Sequence, residues 1–341
     1  MKTQDYNPAL GNQTGCILGE PNDVYHANGA ISHSKLSAFI ERPAVFKGKY
    51  IDKVIPNGNT AAMKLGSAVH CIILEGIEAF TSEYAVSPDN LQWRGGAAKI
   101  DSCHALNELL FDPLSTSEVE RIASLNKEDA LARFEELPGR TLISKDEWEI
   151  VSRARESIFA NELCRELLGA GVGEVVFRSE ETVHGFAVQC RADWLNVDPG
   201  LSLRACELLA EDGLDYEEGI PYGCDLKTIA SLVGWNADFW KRGYFRAYPF
   251  YAKTMELAVG ANIVQEWFWP IVEKEYPYFS MVRPPQPEVW EKGMADISEA
   301  MPKLGECMRS GDWRDEAVKK VTRQGLPDFM LSNYPLRVGV Q

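Results

Sequence analysis

The stretch EVVFRSEETVHGFAVQCRADWLNV, residues 174–197, constrains this chain more than any other segment. Two runs rich in β-branched and aromatic residues flank a polar segment, Ser179–Thr182, which predicts an antiparallel hairpin turning there. The texture of the sequence changes just before it, at Gly171. Upstream, apolar residues recur at helical spacing around 115–135 and 144–169. Ser32 or Ser34 can cap a helix that runs through KLSAFIE and stops before Pro43. After a turn at Pro56–Asn59, Thr60 can cap a second helix, AAMKLGSAVHCIILEG, ending at Gly76.

Downstream, Ser202–Leu208 and Tyr222–Lys227 read as strands bracketing an acidic loop, and 235–258 returns to a helical pattern. Ile263–Val272 and Tyr276–Val282 predict a second hairpin turning at Glu273–Glu275, and 287–309 a last helix before a polar tail containing Pro327 and Pro335. Residues 1–30, polar and rich in Asn and Gly, are expected to form a flexible arm. Helix, hairpin, strand, helix, strands is the order of an α/β sheet flanked by helices. No internal repeat is visible.

With 341 residues, 45% of them hydrophobic, the chain can bury a large core. No apolar run is long enough for a membrane span, and MKTQDYNPALGNQTG lacks the features of a signal peptide, so no membrane partner and a cytoplasmic location are expected. The eight cysteines are scattered without a CxxC pair, which removes sequence support for zinc ribbons and Fe–S clusters and predicts free, buried thiols. A formal net charge of −15 argues against a general nucleic-acid coat. The charge is uneven, however. Residues 31–70 carry Lys35, Arg42, Lys47, Lys49, Lys53 and Lys64 against only Glu41 and Asp52, whereas 207–218 is strongly acidic. A basic strip beside an acidic metal site suits an enzyme that grips DNA briefly, and a solvated surface of mixed charge is the other reading.

The candidate chemistry lies in Asp193 and in Asp225–Leu226–Lys227. Hydrolysis of a phosphodiester needs charge stabilisation on phosphate oxygens and an activated water, and hard divalent cations on carboxylates supply both. Residues two apart on a strand share a face, so Asp225 and Lys227 are expected to point at one site. The carboxylate would bind metal while the ammonium orients water and offsets developing charge. The Leu226 carbonyl is a further oxygen ligand, and Glu174 sits at the hairpin entry opposite Asp193 at its exit. A D-x-K triplet alone also fits a plain surface strand end. His70, late in its helix, equally fits a satisfied core histidine, and Gly66 one turn earlier admits close approach of a backbone or a phosphate. Tyr244, Phe245, Tyr248 and Tyr251 offer faces for stacking or for the core, and Trp235, Trp240, Trp267 and Trp269 are assigned to the core. Lys64, Arg191, Tyr251 and Lys253 are candidate DNA contacts.

Four pieces in order, ISHSKLSAFIERPAVF, KLGSAVHCIILEG, the E-x-x-F then G-x-x-x-x-C-R-A-D of 174–193, and C-D-L-K-T at 224–228, span residues 31–283. In them the chain resembles the RecE-type exonucleases of phage and prophage recombination, a branch of the PD-(D/E)xK nucleases with lambda exonuclease and the RecB nuclease domain. The resemblance implies a restriction-endonuclease-like PD-(D/E)xK core over 31–310, a mixed central sheet flanked by helices, with 311–341 as a tail. It implies His70, Asp193 and Asp225 as metal ligands, beside the Leu226 carbonyl named above, Lys227 as catalytic lysine, and Glu174 as the acidic residue at the hairpin start. It further implies Mg²⁺, with Mn²⁺ as substitute, and 5′-to-3′ degradation of linear double-stranded DNA ends. The resulting 3′ strand would pass to a RecT-like annealing protein, and the enzyme would be a homo-oligomeric ring such as a tetramer. Relatives often carry Q-x-x-x-Y after the lysine; here Tyr251 matches the tyrosine, but Ala247 stands for the glutamine. The alternatives are a RecB-like or Cas4-like nuclease of other polarity or single-strand preference, and a non-catalytic DNA-end-binding module.

Overall fold

The computed structural model describes residues 2–10, 13–56, 60–88, 91–137 and 139–315. Residues 57–59 of the expected turn after Pro56, and Pro327 and Pro335 of the expected tail, lie outside the described residues.

Ten strands form among the described residues: β1 Thr3–Asp5, β2 Gly15–Leu18, β3 Tyr84–Val86, β4 Thr141–Ile143, β5 Val172–Glu181, β6 Ala187–Asn196, β7 Tyr222–Cys224, β8 Lys227–Ile229, β9 Glu266–Glu273 and β10 Ser280–Arg283. Eight of them build one mixed sheet in the order β1-β2-β5-β6-β7-β9-β10, with β8 paired to β9. β7 and β8 both run parallel to β9, whereas β5, β6 and β7 are successively antiparallel. The expected hairpin is β5–β6, and its turn falls at 182–186 rather than at Ser179–Thr182, because a register shift between Arg178 and Glu181 extends the first strand.

Strand β9 shows why the centre of this sheet lacks a polar face. Trp267, Trp269 and Ile271 pack into one core with the helices His33–Glu41, Ala247–Val259 and Pro287–Ser310. Phe268 and Val272, alternating with them, pack into a second core with Ala61–His70, Lys145–Ala160 and Glu162–Gly169. A strand covered on both faces reads as an unbroken apolar run, as WFWPIV does. Gly223 on β7 makes room for the Trp267 ring, which a Cβ there would approach to 2.3 Å. A smaller core of Cys103, Leu106, Val119, Ile122, Ala130 and Phe134 joins the helices between Val86 and Thr141 and lies apart from the sheet. All eight cysteines are buried, and among the described residues no disulfide forms and no helix is long and apolar enough to cross a membrane.

Three expectations are corrected. Residues 1–30 are not an arm throughout: β2 pairs with β5, and Cys16 and Ile17 are 1% and 0% exposed. The run G-C-I-L is too short, in a polar context, to give a periodic signal. Ser202–Leu208 is no strand. Ser202 accepts from the Ala205 amide at 3.1 Å and caps a helix, Leu203–Glu211, whose buried residues Ala205, Cys206 and Leu209 lie on one side. Its alternating Leu201, Leu203 and Ala205 imitate strand periodicity. The second helix ends at His70, after which Cys71–Glu75 widen into a π-helical turn.

Candidate metal centre

Three elements bring the candidate residues together. Thr60 caps Ala61–His70 by accepting from the Met63 amide at 3.2 Å, and this helix lies along β8, with Gly66 against Thr228. An added Cβ at Gly66 would sit 3.4 Å from the Thr228 hydroxyl, so this glycine serves helix-to-strand packing. At the far end of the helix, His70 reaches the sheet just before the π turn, a distortion common at functional sites. Glu174 and Asp193 face one another across β5 and β6, between the paired positions Gly173–Trp194 and Val175–Ala192. Glu174 has a φ of 54°, a costly conformation for a non-glycine residue.

Ligand-capable atoms of His70, Glu174 and Asp193 all lie within 4.8 Å of one another. His70 Nδ1 is 3.5 Å from Asp193 Oδ2, close to the separation of two donors that share one ion at about 2.1 Å. The chain crosses from β7 to β8 at Asp225–Leu226, where the Leu226 amide donates to Asp193 Oδ2 at 2.8 Å and the Leu226 carbonyl faces the His70 ring. Asp225 and Lys227 flank this break rather than sharing a continuous strand, and they still meet as an ion pair. The second oxygen of Asp225, Oδ2, is buried and has no hydrogen-bond partner among the described residues. Side chains of Asp193, Glu174 and His70 keep 14%, 21% and 27% of their surface accessible, so a small ligand can reach the cluster, while Asp225 at 3% forms its floor.

The electrostatics are those of a crowded anionic site. Burial, with Asp193 beside it, pushes the Glu174 carboxyl up to about 8. Burial also raises Asp193 and Asp225 above the usual carboxylate range against the pull of Lys227. Burial lowers His70 to about 4, with Lys227 adding to the effect, so the imidazole is neutral and able to ligate. For Lys227, burial works against the charge, but Asp225 and Asp193 outweigh it and the net shift is upward. This donor set, mostly carboxylate oxygen with one imidazole and an orphaned buried oxygen, fits a hard divalent cation.

The remaining candidates divide. Arg191 Nε holds Glu174 Oε2 at 2.6 Å and its guanidinium lies 5.1 Å from the Tyr25 ring, so it is committed to the cluster rather than free for a phosphate. Tyr251 sits edge-on to Trp267 at 5.4 Å, and burial and then the charge of Asp225 raise its hydroxyl far above the usual tyrosine range. It is a wall of the cluster, not an exposed stacking face. Lys253, two residues on and therefore across the helix from Tyr251, pairs with Glu256 at 2.8 Å in solvent. Lys64 is half-buried near the start of the His70 helix. Tyr244, a candidate for stacking or for the core, has its ring 5.1 Å from Lys227 Nζ. Sequence reasoning missed His33, which burial lowers to about 4 and which bonds the Gly243 carbonyl at 3.2 Å, because a lone histidine carries no partner information.

No protein-family model matches the chain, and no curated protein matches it. Among solved structures, a crystal structure of a "Putative exonuclease" from Eubacterium rectale is similar in fold. Its TM-score is 0.50 at 13% identity, covering 95% of this chain and 100% of that one.

Proposed function

We propose that the chain is a metal-dependent nuclease of the PD-(D/E)xK type. The observation that carries this reading is the convergence of His70, Glu174 and Asp193 within 4.8 Å beside the buried Asp225–Lys227 pair. His70, Glu174, Asp193 and Asp225 would hold Mg²⁺ or Mn²⁺, with the Leu226 carbonyl at the edge of the set. When bound, the cation supplies Lewis-acid polarisation of a phosphate oxygen and eases deprotonation of water. Lys227, fixed by Asp225, orients the attacking water and offsets charge that builds on the phosphate. Arg191 keeps Glu174 in position. The finer reading follows the sequence resemblance: an exodeoxyribonuclease that degrades linear double-stranded DNA 5′ to 3′, working as a ring of identical subunits and passing the 3′ strand to a RecT-like annealing protein.

The test is digestion of linear duplex DNA with Mg²⁺ or Mn²⁺ by the wild type and by Asp225→Asn and Lys227→Ala. Both variants are expected to lose digestion while remaining folded by circular dichroism. Undiminished digestion by either sinks the site assignment. Duplexes labelled at the 5′ or the 3′ end separate the proposed polarity from its opposite, and sedimentation velocity tests the ring.

A further inference from the structure

Lys227 has few contacts to hold it for the task assigned to it. Among the described residues its ammonium makes one ion pair, with Asp225 Oδ1, and Asp225 is at the same time assigned to the cation. A compact charge on a flexible four-carbon stem is poorly aimed by a carboxylate whose own charge is shared. The second contact is with an aromatic face: Lys227 Nζ lies over the Tyr244 ring, 5.1 Å from its centroid. That attraction comes from the ring quadrupole. It fixes where the ammonium sits and leaves N–H groups over for a water and a phosphate.

Tyr244 itself is placed by a short turn that several elements grip. Gly243, just before it, is buried and left-handed at φ 70°, where an added Cβ would meet Arg246 Nη1 at 2.4 Å. The Gly243 carbonyl lies 3.2 Å from His33 Nε2, on the helix His33–Glu41. A carbonyl only accepts, so Nε2 carries the hydrogen and donates. Ser37 Oγ lies 3.3 Å from the same nitrogen. Arg246 gives its amide to the Gly243 carbonyl at 3.0 Å and its Nε to Asp296, on the helix Pro287–Ser310, at 2.7 Å. Trp235 stacks on the Tyr244 ring at 5.8 Å and 24°. His33 stands among the site's own residues, with the Tyr251 ring at 6.3 Å and the charges of Asp225 and Lys227 acting on it. Its hydrogen bond therefore joins the floor of the metal centre to the turn that carries Tyr244.

We propose that Tyr244 is a positioning residue for Lys227, and that His33 acts one step further back by fixing the Gly243 carbonyl. The role rests on the nuclease reading. Asp225 Oδ1 and the Tyr244 ring together aim the ammonium before substrate arrives, which helps the reacting state rather than the binding of DNA. Tyr244 should therefore act on kcat and leave KM nearly alone.

Two measurements test this: steady-state cleavage of linear duplex DNA with Mg²⁺ or Mn²⁺, and urea unfolding in EDTA. Tyr244→Leu is expected to lower kcat about tenfold or more with KM within about threefold, and Tyr244→Phe, which keeps the ring, to recover most of the loss. His33→Ala should lower kcat in the same direction by less, and His33→Gln, which keeps a side-chain donor, should recover it. In EDTA, Tyr244→Leu should lower the urea midpoint more in the wild-type background than in Lys227→Met, since only the lysine gives the ring a charge to hold. Unchanged kcat in Tyr244→Leu, a loss carried by KM alone, or Tyr244→Phe as impaired as Tyr244→Leu would overturn the role of the ring. Equal urea shifts in the two backgrounds would overturn the contact, and an unaffected His33→Ala would overturn the second link. Should Tyr244→Leu not fold, His33→Ala against His33→Gln carries the same comparison. The two readings fail separately. A wild type without metal-dependent digestion removes the nuclease, while the urea cycle still decides whether the ring holds the ammonium; digestion with kcat unaltered in Tyr244→Leu removes the positioning role alone.

Discussion

The β5–β6 hairpin carries two buried sets of charges, and they are built in opposite ways. Near the turn, Arg178 bonds Glu20 at 3.0 and 2.7 Å, the Gln13 carbonyl at 3.1 Å and Gln189 at 2.9 Å, and Gln189 in turn donates to the Tyr25 carbonyl at 2.9 Å. Charge, donors and acceptors are matched, and both side chains of the ion pair are 2% exposed. At the open end, Glu174, Asp193 and Asp225 crowd together with one lysine and one arginine among them. Asp225 Oδ2 has no hydrogen-bond partner among the described residues, and Glu174 holds a proton up to about 8. Gln189, Arg191 and Asp193 alternate along β6, so one face of one strand passes from a closed network to an open one. A closed set stabilises the fold and can do nothing else. An open set costs stability and leaves a demand that a cation can meet.

The largest effect is expected where the set is closed. Glu20→Ala strands the Arg178 guanidinium in the interior and should cost about 3–5 kcal/mol, read as a fall in the urea midpoint that added Mg²⁺ does not restore. A cost below about 1 kcal/mol would erase the contrast between the two sets. At the open end the loss should fall on activity instead. Lys227→Ala is expected to lower metal-dependent cleavage by about 10²–10³, with a smaller change in urea midpoint than Glu20→Ala because Asp225 can take up a proton.

A third experiment uses pH. Between about 4.5 and 8 the folded chain keeps the Glu174 proton that the unfolded chain gives up, so metal-free stability should fall as pH rises through that window. Glu174→Gln removes this loss: its thermal unfolding should match the wild type at pH 5 and exceed it by roughly 1–2 kcal/mol at pH 8. The wild type should bind Mn²⁺ more tightly with rising pH over the same range, because the metal displaces that proton. Equal stabilities at both pH values would mean that the site is not frustrated. The smallest effect belongs to Thr60→Ala, about 1 kcal/mol for a lost helix cap. If it also weakens Mn²⁺ binding, the placing of His70 depends on the anchored start of its helix.

Much of this was legible along the chain. Ser32 and Thr60 cap the helices they were expected to cap, and the alternating residues 174–196 pair as a hairpin because turn and periodicity are local properties. β1 and β2 were not legible: GCIL becomes a strand only because β5 offers it an edge. Leu203–Glu211 was misread since a short alternating run does not tell a strand from a capped helix. At the site, the spacing of Asp225 and Lys227 announced a pair, although the break at Leu226 that lets the amide reach Asp193 did not show. Arg191 and Lys253 looked alike as cations. Only packing gave one to Glu174 and turned the other to solvent.

The sequence by itself determined the kinds of element, the apolar runs that need cover on two faces, and the residue types able to ligate a hard cation, for these follow from periodicity and side-chain chemistry. The tertiary structure alone decided which carboxylates share a site and which charges are satisfied. That depends on distances among β5, β6, the β7–β8 break and a helix more than a hundred residues upstream in the chain, and such distances are set by strand order and burial, which no local pattern encodes.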